Sequence, residues 1–92
     1  AIYLVYLNFH HMSPSLEKSF ILHISKQKSV GVNVSLNGKW DHCIGIWAES
    51  IMHFKQYYKE IMKGNEKYIT NKTIMIETDF YYFKPKQIFY VL

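Results

Sequence analysis

Two strand-like runs, Val30 to Leu36 and Trp40 to Ala48, meet across Asn37-Gly38-Lys39-Trp40-Asp41, and their flanks constrain everything else in the chain. On each side lies a helical pattern and then a further strand-like run. The order therefore reads strand, helix, strand, strand, helix, strand. Asn37-Gly38 is a strong hairpin dipeptide, because both residues tolerate positive φ. A flexible backbone beside the Asp41 carboxylate also makes this turn the place to look for a small-molecule pocket.

The remaining elements follow from local pattern. From Ile2 to His10 the residues are apolar on both faces: Ile2, Leu4 and Tyr6 on one, Tyr3, Val5, Leu7 and Phe9 on the other. Such a strand is buried on both sides. One face takes the helices of its own domain and the other calls for a second protomer. Ser13-Pro14 opens a helix, with Ser13 as cap, Pro14 at the first position and Glu17 in the first turn. Leu16, Phe20, Ile21 and Ile24 give it an apolar face, and it should fade around Gln27-Lys28-Ser29. Val30, Val32, Val34 and Leu36 alternate with Gly31, Asn33, Ser35 and Asn37, which predicts a strand with one dry and one polar face. In the return strand Trp40, His42, Ile44, Ile46 and Ala48 share a face. Gly45 leaves room above the other face for a ligand or a neighbouring backbone. Ser50 caps a second helix with the stripe Ile51, Phe54, Tyr58 and Ile61 or Met62, and Gly64-Asn65 ends it. Thr73 to Phe83 reads as the last strand, and the apolar tail Ile88 to Leu92 must dock on this subunit or another. These elements predict an α+β fold, a ferredoxin-like βαββαβ sandwich with an antiparallel four-stranded sheet and two helices on one face.

At 92 residues the chain is read as one domain, 1–92, yet 49% of it is hydrophobic and 17% aromatic. That is more apolar surface than one thin core absorbs, and the surplus points to a homodimer or higher homo-oligomer. The formal charge of +4 invites a nucleic-acid reading. All eleven basic residues are Lys, however, scattered from Lys18 to Lys86, with no Arg to fork onto bases or phosphates. A solvated lysine surface is the simpler account. The lone Cys43 gives no disulfide framework, so a reducing, cytoplasmic setting is expected. No apolar run is long enough to span a bilayer, so no membrane partner is expected. The start at Ala1, directly inside a strand, suggests an excised domain.

No constellation for catalysis stands out. His10 and His11 are adjacent in an extended run and should point to opposite faces, while His42 and His53 lack ligand spacing, so no metal and no cofactor is expected. Cys43 and His42 are strand neighbours facing apart, which denies the thiol a base. No phosphate loop or paired-carboxylate pattern occurs. An RNA-recognition module shares the element order, and Val5-Tyr6-Leu7 echoes its first-strand signature. Its third-strand signature wants a basic residue, Gly and alternating aromatics, whereas Lys39 to Trp47 here carries Asp41. That module stays as the alternative.

At Gly38-Lys39-Trp40-Asp41, followed by His42 to Ala48, the chain resembles the C-terminal domain of Lrp/AsnC-type (feast/famine) transcription regulators, also called the regulation-of-amino-acid-metabolism (RAM) domain. The resemblance covers almost the whole chain. It takes in the apolar first strand, Ser13-Pro14-Ser15, the Gly-x-x-Asp turn and Ser50-Ile51, and the ending Tyr81-Tyr82-Phe83 is similar to archaeal-looking members. It implies a sandwich that dimerises through its sheets and a small effector, commonly an amino acid, bound between subunits at Asn37, Gly38, Lys39, Trp40 and Asp41. It implies that DNA is bound only through an N-terminal helix-turn-helix domain, which this chain lacks, and that no reaction is catalysed. The chain departs from the family at Trp40, where Tyr or Phe is usual, at Trp47, and at His42-Cys43, which replace aliphatic residues.

Overall fold

The computed structural model describes residues 1–77. Strand β1 (Ile2–Phe9) is followed by helix α1 (Pro14–Ser25), β2 (Val30–Ser35), β3 (His42–Trp47), α2 (Ile51–Met62), a single 3-10 turn (Glu66–Tyr68) and β4 (Ile69–Glu77). Both helices start where their caps dictate. The Ser13 hydroxyl accepts from the Leu16 N–H at 3.2 Å, and Ser50 does the same for His53 at 3.2 Å. Each bond satisfies an N–H that the first helical turn leaves without a partner. α1 stops at Ser25, slightly before the expected fade.

The four strands form one sheet in the order β2-β3-β1-β4, with every neighbouring pair antiparallel. This is the ferredoxin-like α+β sandwich. Tyr3, Val5 and Leu7 of β1, Ile44 and Ile46 of β3 and Ile74 of β4 meet Phe20 and Ile24 of α1 and Phe54, Ile61 and Met62 of α2. Each such side chain, fully buried, contributes about 1.5–3 kcal/mol. Tyr3 and Phe54 stack with ring centroids 4.5 Å apart, which fixes α2 against the central strand. On the opposite face Ile2, Leu4, Cys43 and Met75 form a second, smaller cluster bordered by Tyr6, Val32 and Leu36. β1 is thus apolar on both faces, as its composition required.

Several local expectations are corrected. β3 begins at His42 rather than Trp40, so residues 36–41 form a longer connection than a two-residue hairpin. The cause is Asp41, whose N–H donates to Leu7 O at 2.9 Å and draws the chain to the end of β1. β4 begins at Ile69, before the expected Thr73; residues 78–83 and the tail 88–92 lie outside the described residues. A register shift between Val30 and Val32 turns β2 over. Val30 joins the helix-side core while Val32 and Leu36 border the second cluster, so this side of β2 looks away from the helices, and Val34, expected on the dry face, is exposed there. The space above Gly45 is filled: a Cβ there would lie 2.7 Å from Val32 Cβ and 3.0 Å from Ile2 Cδ1. Ile51, expected in the buried stripe of α2, is exposed. His10 and His11, expected to face apart, have ring centroids 3.7 Å apart, because His11 adopts φ 53° and leaves the extended run.

Candidate functional site

The turn between β2 and β3 is built around two residues. Gly38 has φ 122°, a conformation that side chains disfavour, and nothing lies within 4 Å of where its Cβ would stand. Asp41 ties the turn down. Its Oδ2 accepts from the Phe9 N–H at 2.8 Å, its own N–H is shared between Leu7 O and Asn8 Oδ1, and its carbonyl accepts from the Leu36 N–H at 2.9 Å. Trp40 stands half-buried with its ring 6.2 Å from that of Tyr6, and the Lys39 ammonium sits 5.6 Å from the Trp40 centroid. Asn37, Gly38 and Lys39 are exposed.

The five residues named from the sequence therefore share one loop at one end of the sheet. Among the described residues, the N–H groups of residues 37–40 have no acceptor. The described cavities are elsewhere. One of about 430 Å³ is lined by Ala1, Trp47, Ala48, Glu49, His53 and Tyr57. One of about 510 Å³ touches Lys26, Lys28, Trp47, Tyr57 and Glu60, and one of about 210 Å³ follows Tyr58 and β4.

Behind the turn lies a buried polar network that sequence reasoning passed over. His42 is 1% exposed and stacks on Phe9 at 6.0 Å. Asn33 Nδ2 donates to the Ile21 carbonyl of α1 at 3.1 Å, which leaves Asn33 Oδ1 to accept from His42 Nε2–H. His42 Nδ1 then faces the Ser35 hydroxyl at 3.5 Å as acceptor. The imidazole is neutral in this arrangement, and burial lowers its pKa below the usual 6.5. The signal was present in the sequence, because His42 alternates in phase with Ile44 and Ile46. On the opposite face burial raises the Cys43 pKa, against a smaller lowering by the Tyr6 hydrogen bond. His42 and Cys43 do face apart. Among the described residues no three His, Cys, Asp or Glu side chains come together as metal ligands, and no helix is long and apolar enough to cross a membrane.

The sequence matches no protein-family model and no curated protein. Solved structures share its fold. An AsnC family transcriptional regulator from Agrobacterium tumefaciens superposes with a TM-score of 0.79 at 15% identity, over 92% of this chain and 54% of that one. The chain thus spans about half the length of that regulator. FFRP-DM1 gives a TM-score of 0.62 at 10% identity, over 84% of this chain and 97% of its own. A hypothetical protein from Pyrococcus horikoshii gives 0.66 at 10% identity, over 90% and 96%. The same sandwich therefore occurs both as part of a longer regulator and as a chain of about this length.

Proposed function

We propose that this chain is the effector-sensing and oligomerisation domain of an Lrp/AsnC-like transcription regulator, with a binding and assembly role rather than a catalytic one. The observation that carries the reading is the sheet itself. Both helices cover one face, and the other carries a second apolar cluster, Ile2, Leu4, Cys43 and Met75, which is already buried within one chain; its half-buried rim of Tyr6, Val32 and Leu36 and the exposed Val34 of β2 are the apolar groups left for a second copy. The superposition on an AsnC family regulator supports it. A small effector, an amino acid or similar molecule, binds between subunits at Asn37 to Asp41. There the N–H groups of residues 37–40 receive its carboxylate. DNA recognition falls to a helix-turn-helix domain of the regulator, outside these residues.

Sedimentation at micromolar concentration, followed by calorimetric titration with the common amino acids, tests both halves. A dimer or larger species that binds one amino acid saturably is expected. A folded monomer sinks the assembly role, and an empty screen sinks the effector role.

A further inference from the structure

The lysines are scattered in the sequence, but folding gathers five of them. Residues 51–72 carry Lys55, Lys59, Lys63, Lys67 and Lys72 against two carboxylates, Glu60 and Glu66, and all five lysines are exposed. Helix α2 buries Phe54, Ile61 and Met62. At 3.6 residues per turn, Lys55 and Lys59 stand one above the other, about 6 Å apart along the axis, on the same side of that buried stripe as Tyr58. Tyr58 shows which side this is, because the Lys72 ammonium of β4 sits 4.8 Å from its ring centroid. Among the described residues β4 is an edge of the sheet, so the flank of α2 and the β4 edge form one side of the molecule. Lys63 caps α2, and Lys67, 5.2 Å from the Tyr68 ring in the 3-10 turn, carries the row round toward β4. Glu60 is turned to the other flank of α2, where it lines a cavity with Lys26 and Gln27. That leaves Glu66, which lines a small cavity with Tyr58 and Lys72.

We propose that this lysine flank is a contact surface for the phosphate backbone of duplex DNA, bound without regard to base sequence. The choice of duplex DNA as occupant rests on the regulator reading above; the choice of phosphate rests on charge. Lys is a compact point charge suited to phosphate, and the chain has no Arg to fork onto base edges. A duplex carries about one negative charge per 1.7 Å of its axis, so a row ~12 Å long from Lys55 to Lys63 meets several phosphates at once. Counterions released from those phosphates drive the association. A membrane surface suits the flank less well, since it calls for large apolar side chains among the lysines. The exposed apolar residues of α2, Ile51 and Met52, precede Lys55, and among the described residues from Lys55 to Lys72 no large apolar side chain is exposed. Base recognition stays with the helix-turn-helix domain of the regulator, and this flank adds an affinity that any duplex shares.

The test follows the anisotropy of a fluorescein-labelled duplex of mixed sequence titrated with the full chain. Saturable binding is expected at ~50 mM salt, with roughly a hundredfold loss of affinity by ~200 mM, the dependence set by about four phosphate contacts. A duplex of unrelated sequence should bind equally. Lys55→Gln with Lys59→Gln and Lys63→Gln should weaken binding at least about tenfold and flatten the log–log salt slope by about 2.7. Lys18→Gln with Lys26→Gln and Lys28→Gln removes the same charge from α1 and its exit, and should change affinity less than about twofold. Equal losses from the two triple variants would mean that net charge alone acts, and would overturn the proposal. Absence of saturable binding at ~50 mM salt does the same. Tighter binding to single-stranded RNA, or to vesicles of phosphatidylserine and phosphatidylcholine, overturns it in favour of that partner. Neither triple variant alters the second face of the sheet or Asn37 to Asp41, so assembly and amino-acid binding should be unchanged in both. A failure of the DNA titration therefore leaves the regulator reading standing, and a monomer or an empty amino-acid screen is a separate result.

Discussion

The carboxylate of Asp41 accepts a hydrogen bond from the backbone N–H of Phe9, thirty-two residues earlier, at 2.8 Å. This bond joins the β2–β3 connection to the far end of the central strand. It gives Asp41 a structural task whatever else the turn binds.

Asp41→Ala should therefore lower stability by about 1–2 kcal/mol, the scale of a hydrogen bond to a charged acceptor at an exposed site. Asp41→Asn keeps an acceptor oxygen and should lose less. Urea denaturation of the two variants measures the difference. If both match the parent protein, the bond does not matter to the fold. If Asp41→Asn instead weakens binding of an amino acid at unchanged stability, the residue also serves the effector.

Gly45→Ala tests the crowding on the second face. The added methyl would meet Val32 Cβ and Ile2 Cδ1, and Val32 Cβ is fixed to its backbone and cannot swing away. Overpacking of this kind costs about 1–3 kcal/mol, read as a lower denaturation midpoint at unchanged slope. An unaffected midpoint would mean that the face has the spare room the sequence suggested.

Much of the architecture was legible because it rests on local chemistry. Ser13 and Ser50 announce their helices, and period-two alternation marks the strands. What alternation does not carry is which face of the sheet a strand's dry side joins. In β2 that is decided by the register shift between Val30 and Val32, a tertiary event with no residue signature beyond Gly31. The turn was placed correctly but its shape was not, because Asp41 is tied to Leu7 and Phe9 of β1 as well as to Leu36 across its own connection. The seating of Trp47 on Gly31 was invisible for the same reason. Gly31 and Trp47 lie on neighbouring strands, and only folding brings them together.

The buried imidazole of His42 gives the protein a pH dependence of defined sign. Burial holds its folded pKa below the unfolded value near 6.5, so below that pH the unfolded chain binds a proton that the native state resists. Stability should be fully present above about pH 6.5 and fall as the pH drops toward the depressed folded value. His42→Gln retains a donor for Asn33 and removes the titration. Comparing denaturation midpoints of the two proteins at pH 7.5 and 5.5, chosen to lie roughly one unit either side, isolates the effect. A parent-to-variant difference that does not change with pH would show that His42 is not buried neutral.

The two faces of β1 separate folding from assembly. Val5 is wholly buried on the helix side, so Val5→Lys places an ammonium where no partner or water reaches it, and the domain should unfold. Tyr6, its neighbour, is half-buried on the second face at the rim of the smaller cluster. A lysine there can carry its charge to solvent from an isolated subunit, because its stem is long enough to lie along the apolar surface. The same lysine beneath a second sheet would be trapped, at a cost of several kcal/mol. Tyr6→Lys should thus give a folded chain, by circular dichroism, that sediments as a monomer at concentrations where the parent protein is a dimer or larger. A Tyr6→Lys variant that still assembles would show that the second face is not where subunits meet.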